Sequence, residues 1–283
     1  MAKMLVVDGM NLTCQMFFGM PARIFGKDGK PVHGIIGFVG ALLKMIRMTE
    51  PTHVLVVFDG ENGSDRHTID ADYKANRPGF SNVPEEEAPF SQLPGIYKAL
   101  TYMGIAHFET DGVEADDVIA AYAKMFGASM KIVIASNDTD FQQLVTDNVS
   151  QLVYRGKSTV VYGPEEVLAR YGVTPTTYAD YKALVGDVSD NIKGVPRVGP
   201  KTAARLLREF GSARGLLADT SRITPPHVRE VIEGHTDKLL RNIRLIVLTG
   251  ETAIPFGIVE TKFALDEGKT ATMKILRDID VLA

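Results

Sequence analysis

Three short runs of uninterrupted apolar residues punctuate the first half of the chain: residues 3–8 (KMLVVD), 53–58 (HVLVVF) and 131–135 (KIVIA). Their apolar positions are continuous rather than alternating, the pattern of strands buried on both faces of a parallel sheet. Between them lie stretches with helical character: 34–46 (GIIGFVGALLKMI), 93–103 (LPGIYKALTYM) and 115–126 (ADDVIAAYAKMF). This alternation predicts an α/β fold with a mostly parallel central sheet flanked by helices. After about residue 163 the strand signal fades. Residues 164–171 and 175–186 read as helical, and 226–248 and 268–282 as mostly helical. Residues 64–94 carry no strand pattern and alternate acidic with basic side chains, so they read as a long insertion projecting from the sheet edge. The expected division is an α/β core over 1–174, with the insertion at about 64–94, and a helical region over 175–283.

Nine carboxylates end the apolar runs or begin the helices. They are Asp8, Asp59, Glu114, Asp116, Asp117, Asp138, Asp140, Asp187 and Asp190. In open α/β sheets, ligands bind beyond the carboxyl ends of the strands. Asp8, Asp59 and Asp138 each stand at or just past such an end, which predicts convergence on one face. Singly, an aspartate after a strand often just caps a helix, and Asp116 and Asp117 would favour a helix N-terminus. Five clusters in register with strand ends exceed what capping requires. Two like charges ~4 Å apart repel by roughly 4 kcal/mol at an effective dielectric near 20. Converging carboxylates must therefore stay partly protonated or hold divalent cations, and all-oxygen ligands favour Mg²⁺ or Mn²⁺.

Composition narrows the class. The chain has 283 residues, 45% hydrophobic and 23% charged, ordinary for a globular protein with one large core and a smaller appended unit. No apolar run reaches the roughly 18–20 residues of a membrane helix. The apolar N-terminus is too short for a signal peptide and reads as the first strand. Cys14 is the only cysteine, which excludes an internal disulfide and points to a reducing cytoplasm. His33, His53 and His67 lack zinc-type spacing. A net charge of −4 argues superficially against a nucleic-acid partner, but with the nine carboxylates set apart the remainder carries +5. Two divalent ions would bring the whole to zero.

Basic residues concentrate near two motifs. GVPRVGPKTAARLL places Gly194 and Gly199 around a tight turn with Val195 and Val198 as apolar anchors and a helix starting near Lys201. Glycines let backbone N–H groups approach a phosphate, and the following helix N-terminus favours an anion. This is a helix-hairpin-helix pattern at about 190–208. From Lys182 to Arg214 seven residues are basic (Lys182, Lys193, Arg197, Lys201, Arg205, Arg208 and Arg214) and three acidic, an excess suited to sequence-independent backbone binding. In DYKANRPG, Lys74 and Arg77 would share a helix face beside Tyr73, placed to meet a phosphate as a point charge and a planar clamp. The plainer reading is a surface helix. Phe17 and Phe18 fit core packing better than base stacking.

With these residues in place, the chain resembles the bacterial and phage 5′ nucleases, which include the 5′-nuclease domain of DNA polymerase I and stand-alone flap endonucleases. The motifs VVDGMN, VVFDG, DYKANRP, VEADD, SNDTDFQQL and GDVSDNIKGVPRVGPKTA follow the family order over about residues 3–210. The resemblance implies two divalent ions, Mg²⁺ with Mn²⁺ as a substitute. Asp8, Asp59, Glu114, Asp116 and Asp117 would serve mainly the first site. Asp138 and Asp140 would lie between the sites or toward the second, which Asp187 and Asp190 would complete. Lys74 and Arg77 match the family's catalytic basic pair, and the insertion matches its helical arch. Tyr73, Lys193, Gly194, Val195, Arg197, Gly199 and Lys201 would contact DNA, with K⁺ at the helix-hairpin-helix. Lys193 stands where proline is common and Pro200 where an acidic residue is frequent, which bears on DNA affinity only. Some stand-alone relatives lack counterparts of Asp187 and Asp190; this chain keeps both.

The implied activity is structure-specific 5′ nuclease action, as flap endonuclease and 5′-3′ exonuclease, at junctions between a 5′ single strand and duplex DNA. The implied enzyme is a monomer, stand-alone and without membrane contact. Two alternatives stay open at this level: an RNase H-like enzyme directed to RNA primers in RNA–DNA hybrids, and a non-catalytic DNA-binding accessory protein of the same fold.

Overall fold

The computed structural model describes residues 2–60, 66–76 and 83–283. In chain order the elements are β1 (Lys3–Asp8), α1 (Gly9–Gly19), α2 (His33–Thr49), β2 (His53–Phe58), α3 (Arg66–Ile69), α4 (Leu93–Met103), β3 (Ala106–Glu109), α5 (Ala115–Phe126), β4 (Lys131–Ala135), β5 (Val149–Val153), β6 (Val160–Tyr162), α6 (Pro164–Tyr171), α7 (Tyr178–Val185), β7 (Gly186–Asp187), β8 (Ile192–Lys193), α8 (Pro200–Phe210), α9 (Ala213–Ala218), α10 (Pro226–Glu233), α11 (Thr236–Ile246) and α12 (Thr272–Asp278). Six strands form one sheet in the order β3-β2-β1-β4-β5-β6. All neighbours are parallel except β5 and β6. The three apolar runs are the three central strands. Connections run outward from β1 on one side and from β4 on the other. The strand order therefore reverses between them, where a doubly wound sheet opens a crevice.

Both faces of the sheet are covered. On one side α2 is buried along most of its length against Leu5, Val7, Val54 and Val56, with α4 and α12 beside it. On the other, α5 packs Val118, Ile119 and Tyr122 over Met4, Val6, Leu55 and Ile132. A third cluster joins α7, α8, α10 and α11 and includes Val145, Val153 and Tyr162 from the sheet side. The two parts thus share apolar surface. Among the described residues, no helix is long and apolar enough to cross a membrane.

Several elements differ from expectation. The segment expected to project as far as residue 94 returns earlier: Ala88, Pro89 and Gln92 are buried, and Gln92 donates through Nε2 to the Pro31 carbonyl at 2.9 Å. Residues 61–65 and 77–82, which include positions 64, 65 and 77–82 of the expected arch, lie outside the described residues. Residues 226–248 form two helices separated at Gly234 and His235. The chain end leaves the helical part altogether. The amide of Phe263 donates to the Thr52 carbonyl at 2.9 Å, and α12 buries Ile275 and Leu276 in the sheet core. The span 175–283 is therefore not one spatial unit. In α12 the adjacent Ile275 and Leu276 are flanked by Lys274, Arg277 and Asp278, a short apolar face that needs a partner.

Gly9 fixes how closely α1 can leave β1. A Cβ there would sit 2.5 Å from the ring of Phe58, which is fully buried and stacked with Phe38 at 6.2 Å. Gly9→Ala should cost about 1–3 kcal/mol through overpacking. Calorimetry should register the loss as a fall in thermal midpoint of roughly 2–4 °C per kcal/mol for a chain of this size. An unchanged midpoint would mean that the ring yields freely.

Candidate active site

The carboxylates at the strand ends are held by the backbone turns that follow. Asp8 caps α1, its Oδ1 accepting from the Asn11 amide at 3.0 Å, while Oδ2 accepts from the Ser136 hydroxyl at 2.8 Å. Parallel register sets this contact, because Val7 pairs with Ala135 and leaves Asp8 beside Ser136. Asp138 caps the 3₁₀ turn Thr139–Leu144, accepting from the Asp140 amide at 2.9 Å. Asp59 accepts from the Ala115 amide at 2.8 Å, which ties the end of β2 to the start of α5. That helix start carries Glu114, Asp116 and Asp117.

The expected convergence is present. Asp8 is pushed up to about 7 by burial, then by repulsion from Asp59 and Asp138, against its two hydrogen bonds. Asp116 is raised well above the usual carboxylate range by burial, then by Asp138 and Asp8. Asp140 is pushed up to about 7 because burial outweighs the nearby Lys182, with Asp138 and Asp187 adding to it. Asp140, Asp187 and Asp190 each offer an oxygen within 4.8 Å of the others, the geometry of a cation site. The donors are all carboxylate oxygens, the set that suits Mg²⁺ or Mn²⁺.

Three cations among the described residues contact these groups, and one of them, Arg66, was not singled out in the sequence. Arg66, at the start of α3, binds Asp117 through Nη1 and Nη2, both at 2.8 Å, and Glu114 through Nη1 at 2.9 Å. Its Nε donates to the Leu245 carbonyl of α11 at 3.0 Å. Asp117 is thereby held in a bidentate pair, an orienting arrangement rather than an open ligand. Lys74 reaches Glu114 Oε2 at 2.8 Å. Lys182 is buried with its ammonium between Asp140 and Asp187. Burial disfavours its charge, but Asp140, Asp187 and Asp138 outweigh that and hold it protonated. In Asp187, burial works upward, yet Lys182 and Ser189 pull the carboxyl below its ordinary range.

Lys182 is therefore not one of the outward basic residues expected to meet a nucleic acid. Its signal was its place on α7 among buried Tyr178, Tyr181 and Leu184, a face where a solvated lysine does not belong. Arg66 had no comparable signal. Tyr73 also differs from expectation. It is buried, and its hydroxyl donates to Glu114 Oε2 at 3.2 Å and reaches Asp190 Oδ2 at 3.4 Å. Burial, then Glu114 and Asp190, keep the phenol protonated, so it donates to the carboxylates and does not face DNA. Lys74 adopts φ 56° in a turn rather than sharing a helix face. Arg77 lies outside the described residues. Phe17 is buried against the His33 ring at 4.7 Å as expected of a core residue, whereas Phe18 is exposed.

The glycine-bounded hairpin follows directly. Val195 and Val198 are buried anchors, and the Val195 amide donates to the Leu184 carbonyl at 2.8 Å. The Val195 side chain thus faces the core, its amide is engaged with Leu184, and its carbonyl accepts from the Val198 amide at 3.1 Å. A Cβ on Gly194 would meet the Val185 carbonyl carbon at 2.3 Å, so no other residue fits that close approach. Gly199 caps α8, with Pro200 at its first turn. Lys193, Arg197, Gly199 and Lys201 are exposed.

A parallel sheet that gathers acidic side chains at its carboxyl edge, continued by a helical part with an exposed basic hairpin, defines a class of metal-dependent nucleases. The family model described as "5'-3' exonuclease, N-terminal resolvase-like domain" matches residues 3–172, and that described as "5'-3' exonuclease, C-terminal SAM fold" matches 173–269. The chain belongs to the 5'-3' exonuclease family. It is 38% identical to a 5'-3' exonuclease of Aquifex aeolicus over 77% of this chain and 73% of that protein. It is 34% identical to DNA polymerase I of Bacillus subtilis over 90% of this chain, but spans only 29% of that longer relative. In fold it is similar to a bacteriophage T5 D15 flap endonuclease variant, with a TM-score of 0.72, 21% identity and coverage of 98% of this chain and 97% of that one.

Two outcomes test the site's electrostatics. Removing Arg66 leaves Glu114 and Asp117 short of a partner in a buried setting. Arg66→Ala should destabilise the fold by about 3 kcal/mol in chemical denaturation. A loss under about 0.5 kcal/mol would place the pair effectively in solvent. Asp8 and Asp140 bind protons in the metal-free fold that the unfolded chain releases above its ordinary carboxylate value of 3.8. Their contribution to stability is thus lost as pH rises from about 4 through about 7. Divalent cations would take the protons' place. The rise in calorimetric midpoint on adding Mg²⁺ should be larger at about pH 8 than at about pH 5.5. Equal rises would mean that these carboxylates do not hold the ion.

Proposed function

We propose that this protein is a structure-specific 5′ nuclease that hydrolyses DNA phosphodiesters at junctions between a 5′ single strand and duplex. The observation that carries the reading is the gathering of carboxylates at the carboxyl edge of the sheet, with Lys74 on Glu114 and Lys182 between Asp140 and Asp187, and the exposed glycine hairpin directly continuing the Asp187–Asp190 segment. Related proteins point the same way: the T5 relative is described as complexed with DNA and metal ions. Asp8, Asp59, Glu114 and Asp116 would hold a first divalent cation. Asp138 and Asp140, with Asp187 and Asp190, would hold a second. Bound there, Mg²⁺ or Mn²⁺ would supply a water polarised for attack and charge compensation at the leaving 3′ oxygen.

The chain's own groups provide the rest. Lys74 offers an ammonium beside Glu114, placed to neutralise the scissile phosphate as charge builds on it. Arg77 is proposed as its planar partner. Arg66 keeps Asp117 and Glu114 in orientation, and Tyr73 donates to Glu114 and Asp190 without competing for the cation. The amides around Gly194 and Gly199, with Lys193, Arg197 and Lys201, would grip the duplex backbone, and K⁺ at this hairpin belongs to the same reading. The products would carry a 5′-phosphate and a 3′-hydroxyl. A non-catalytic accessory protein would have no need of so complete a carboxylate set, held at a cost in repulsion.

Cleavage of a 5′-flap substrate tests the reading. Asp138→Ala should abolish Mg²⁺-dependent cutting. Lys74→Ala should slow single-turnover cleavage by about 10²–10³-fold while changing duplex affinity little, as for a group acting in the transition state. Wild-type protein that binds the flap but never cuts it would return the accessory reading. Preferential cutting of an RNA–DNA hybrid in direct competition would move the substrate class to RNA.

A further inference from the structure

Two asparagines in the motifs YKANRP and GDVSDN have no part in the reading so far. Asn76 Nδ2 donates to the Val188 carbonyl at 2.7 Å, and Asn191 Nδ2 donates to the Asp72 carbonyl at 2.8 Å. Between them the Lys74 amide donates to the Asp190 carbonyl at 3.0 Å. Three hydrogen bonds thus join residues 72–76 to residues 188–191, with donors on both sides. Lys74 and Asn191 both adopt left-handed backbone, at φ 56° and 58°. For a lysine that conformation costs free energy and persists only where the surroundings hold it.

The connection joins two functional groups that are far apart in the chain. On one side is the ammonium of Lys74. On the other is Asp190, one of the three carboxylates whose oxygens lie within 4.8 Å of each other. Lysine has a flexible stem, so its ammonium is only as well placed as its Cα. Here the Lys74 backbone is bonded to the Asp190 backbone itself. The asparagine amides flank that bond and resist its opening from either end.

We propose that Asn76 and Asn191 are positioning residues that lock the Lys74 segment to the Asp187–Asp190 hairpin. The ammonium and the second carboxylate cluster then hold one geometry, so that phosphate neutralisation and cation binding depend on each other. The inference rests on the nuclease reading and adds to it the residues that join its two halves. Asn76 is exposed and Asn191 half-buried, so truncating either does not open a core cavity.

The test compares Asn76→Ala, Asn191→Gly and the double variant; glycine preserves the left-handed backbone at 191. Three quantities are read: Mn²⁺ affinity of the free protein by electron paramagnetic resonance, Mg²⁺ dependence of single-turnover 5′-flap cleavage, and duplex affinity in Ca²⁺. Each single variant should weaken one Mn²⁺ site and slow cleavage by about 10-fold, the lower range for residues that orient metal ligands. Half-saturating Mg²⁺ should rise by a similar factor, with thermal midpoint and duplex affinity unchanged. The double variant should be little worse than either single one, because both bonds serve one connection. Unchanged Mn²⁺ affinity, or fully multiplicative losses, would overturn the proposal, as would a rate loss that merely follows a falling midpoint. If wild-type protein bound Mn²⁺ but cut no flap, the nuclease reading would fail alone. The lock would then stand or fall on Mn²⁺ affinity, which Asn76→Ala should still lower.

Discussion

Repulsion among the carboxylates at the carboxyl edge of the sheet is the constraint that the rest of the structure answers. The fold gathers Asp8, Asp116 and Asp140 in buried surroundings where each is driven toward its protonated form. Such groups persist only because something holds them. Part of the answer is Arg66, Lys74 and Lys182, which are drawn inward onto Glu114, Asp117, Asp140 and Asp187. Each of these cations would cost several kcal/mol to bury alone. Their presence in the interior makes sense only against an excess of negative charge, which is also what a divalent cation requires.

The other part of the answer is local. Asp8 and Asp138 are true caps, and Asp59 accepts an amide from the start of α5. The plain reading of aspartate after a strand is therefore correct for these residues, and it does not compete with the functional one. A carboxylate that accepts a backbone N–H from one lobe keeps the remaining lone pairs in a fixed direction. Capping is the means by which the sheet aims its acids into the crevice between β1 and β4.

What could be read from the sequence followed its apolar period. The central strands β1, β2 and β4 were legible because they are buried on both faces and therefore continuously apolar. The outer strands were not: β3 is short and only half-buried, β5 carries Ser150 and Gln151, and β6 exposes Val160 and Val161. Their pairing is settled by the neighbouring strand rather than by their own pattern. The acidic clusters were legible for the same reason as the strands they terminate. Arg66 and the inward turn of Tyr73 were not, and Lys182 only through its apolar neighbours on α7, because a cation or phenol is recruited by charge that is remote in sequence. The Asp140–Lys182 pair spans 42 residues, and Arg66 meets Asp117 across 51.

Lys182 also explains how the helical part is fixed to the sheet. It lies on α7, immediately before the hairpin of β7 and β8 that carries Asp187, and it is paired with Asp140 from the sheet side. Buried Asn242 on α11 donates to the carbonyls of Ala183 and Lys193 at 2.9 and 3.0 Å, clasping both ends of that hairpin. The run from Lys182 through Asp190 to Gly194 is thus tied to the sheet at one end and enters the glycine hairpin at the other. Asp140 and Asp187 belong to opposite parts of the molecule, so neither part assembles the triad by itself. A cation there would complete a contact that Lys182 alone leaves short of charge. The exposed hairpin at Lys193–Lys201 is continuous in the chain with the residues that form the triad, and Lys182 and Asn242 tie both to the rest of the fold.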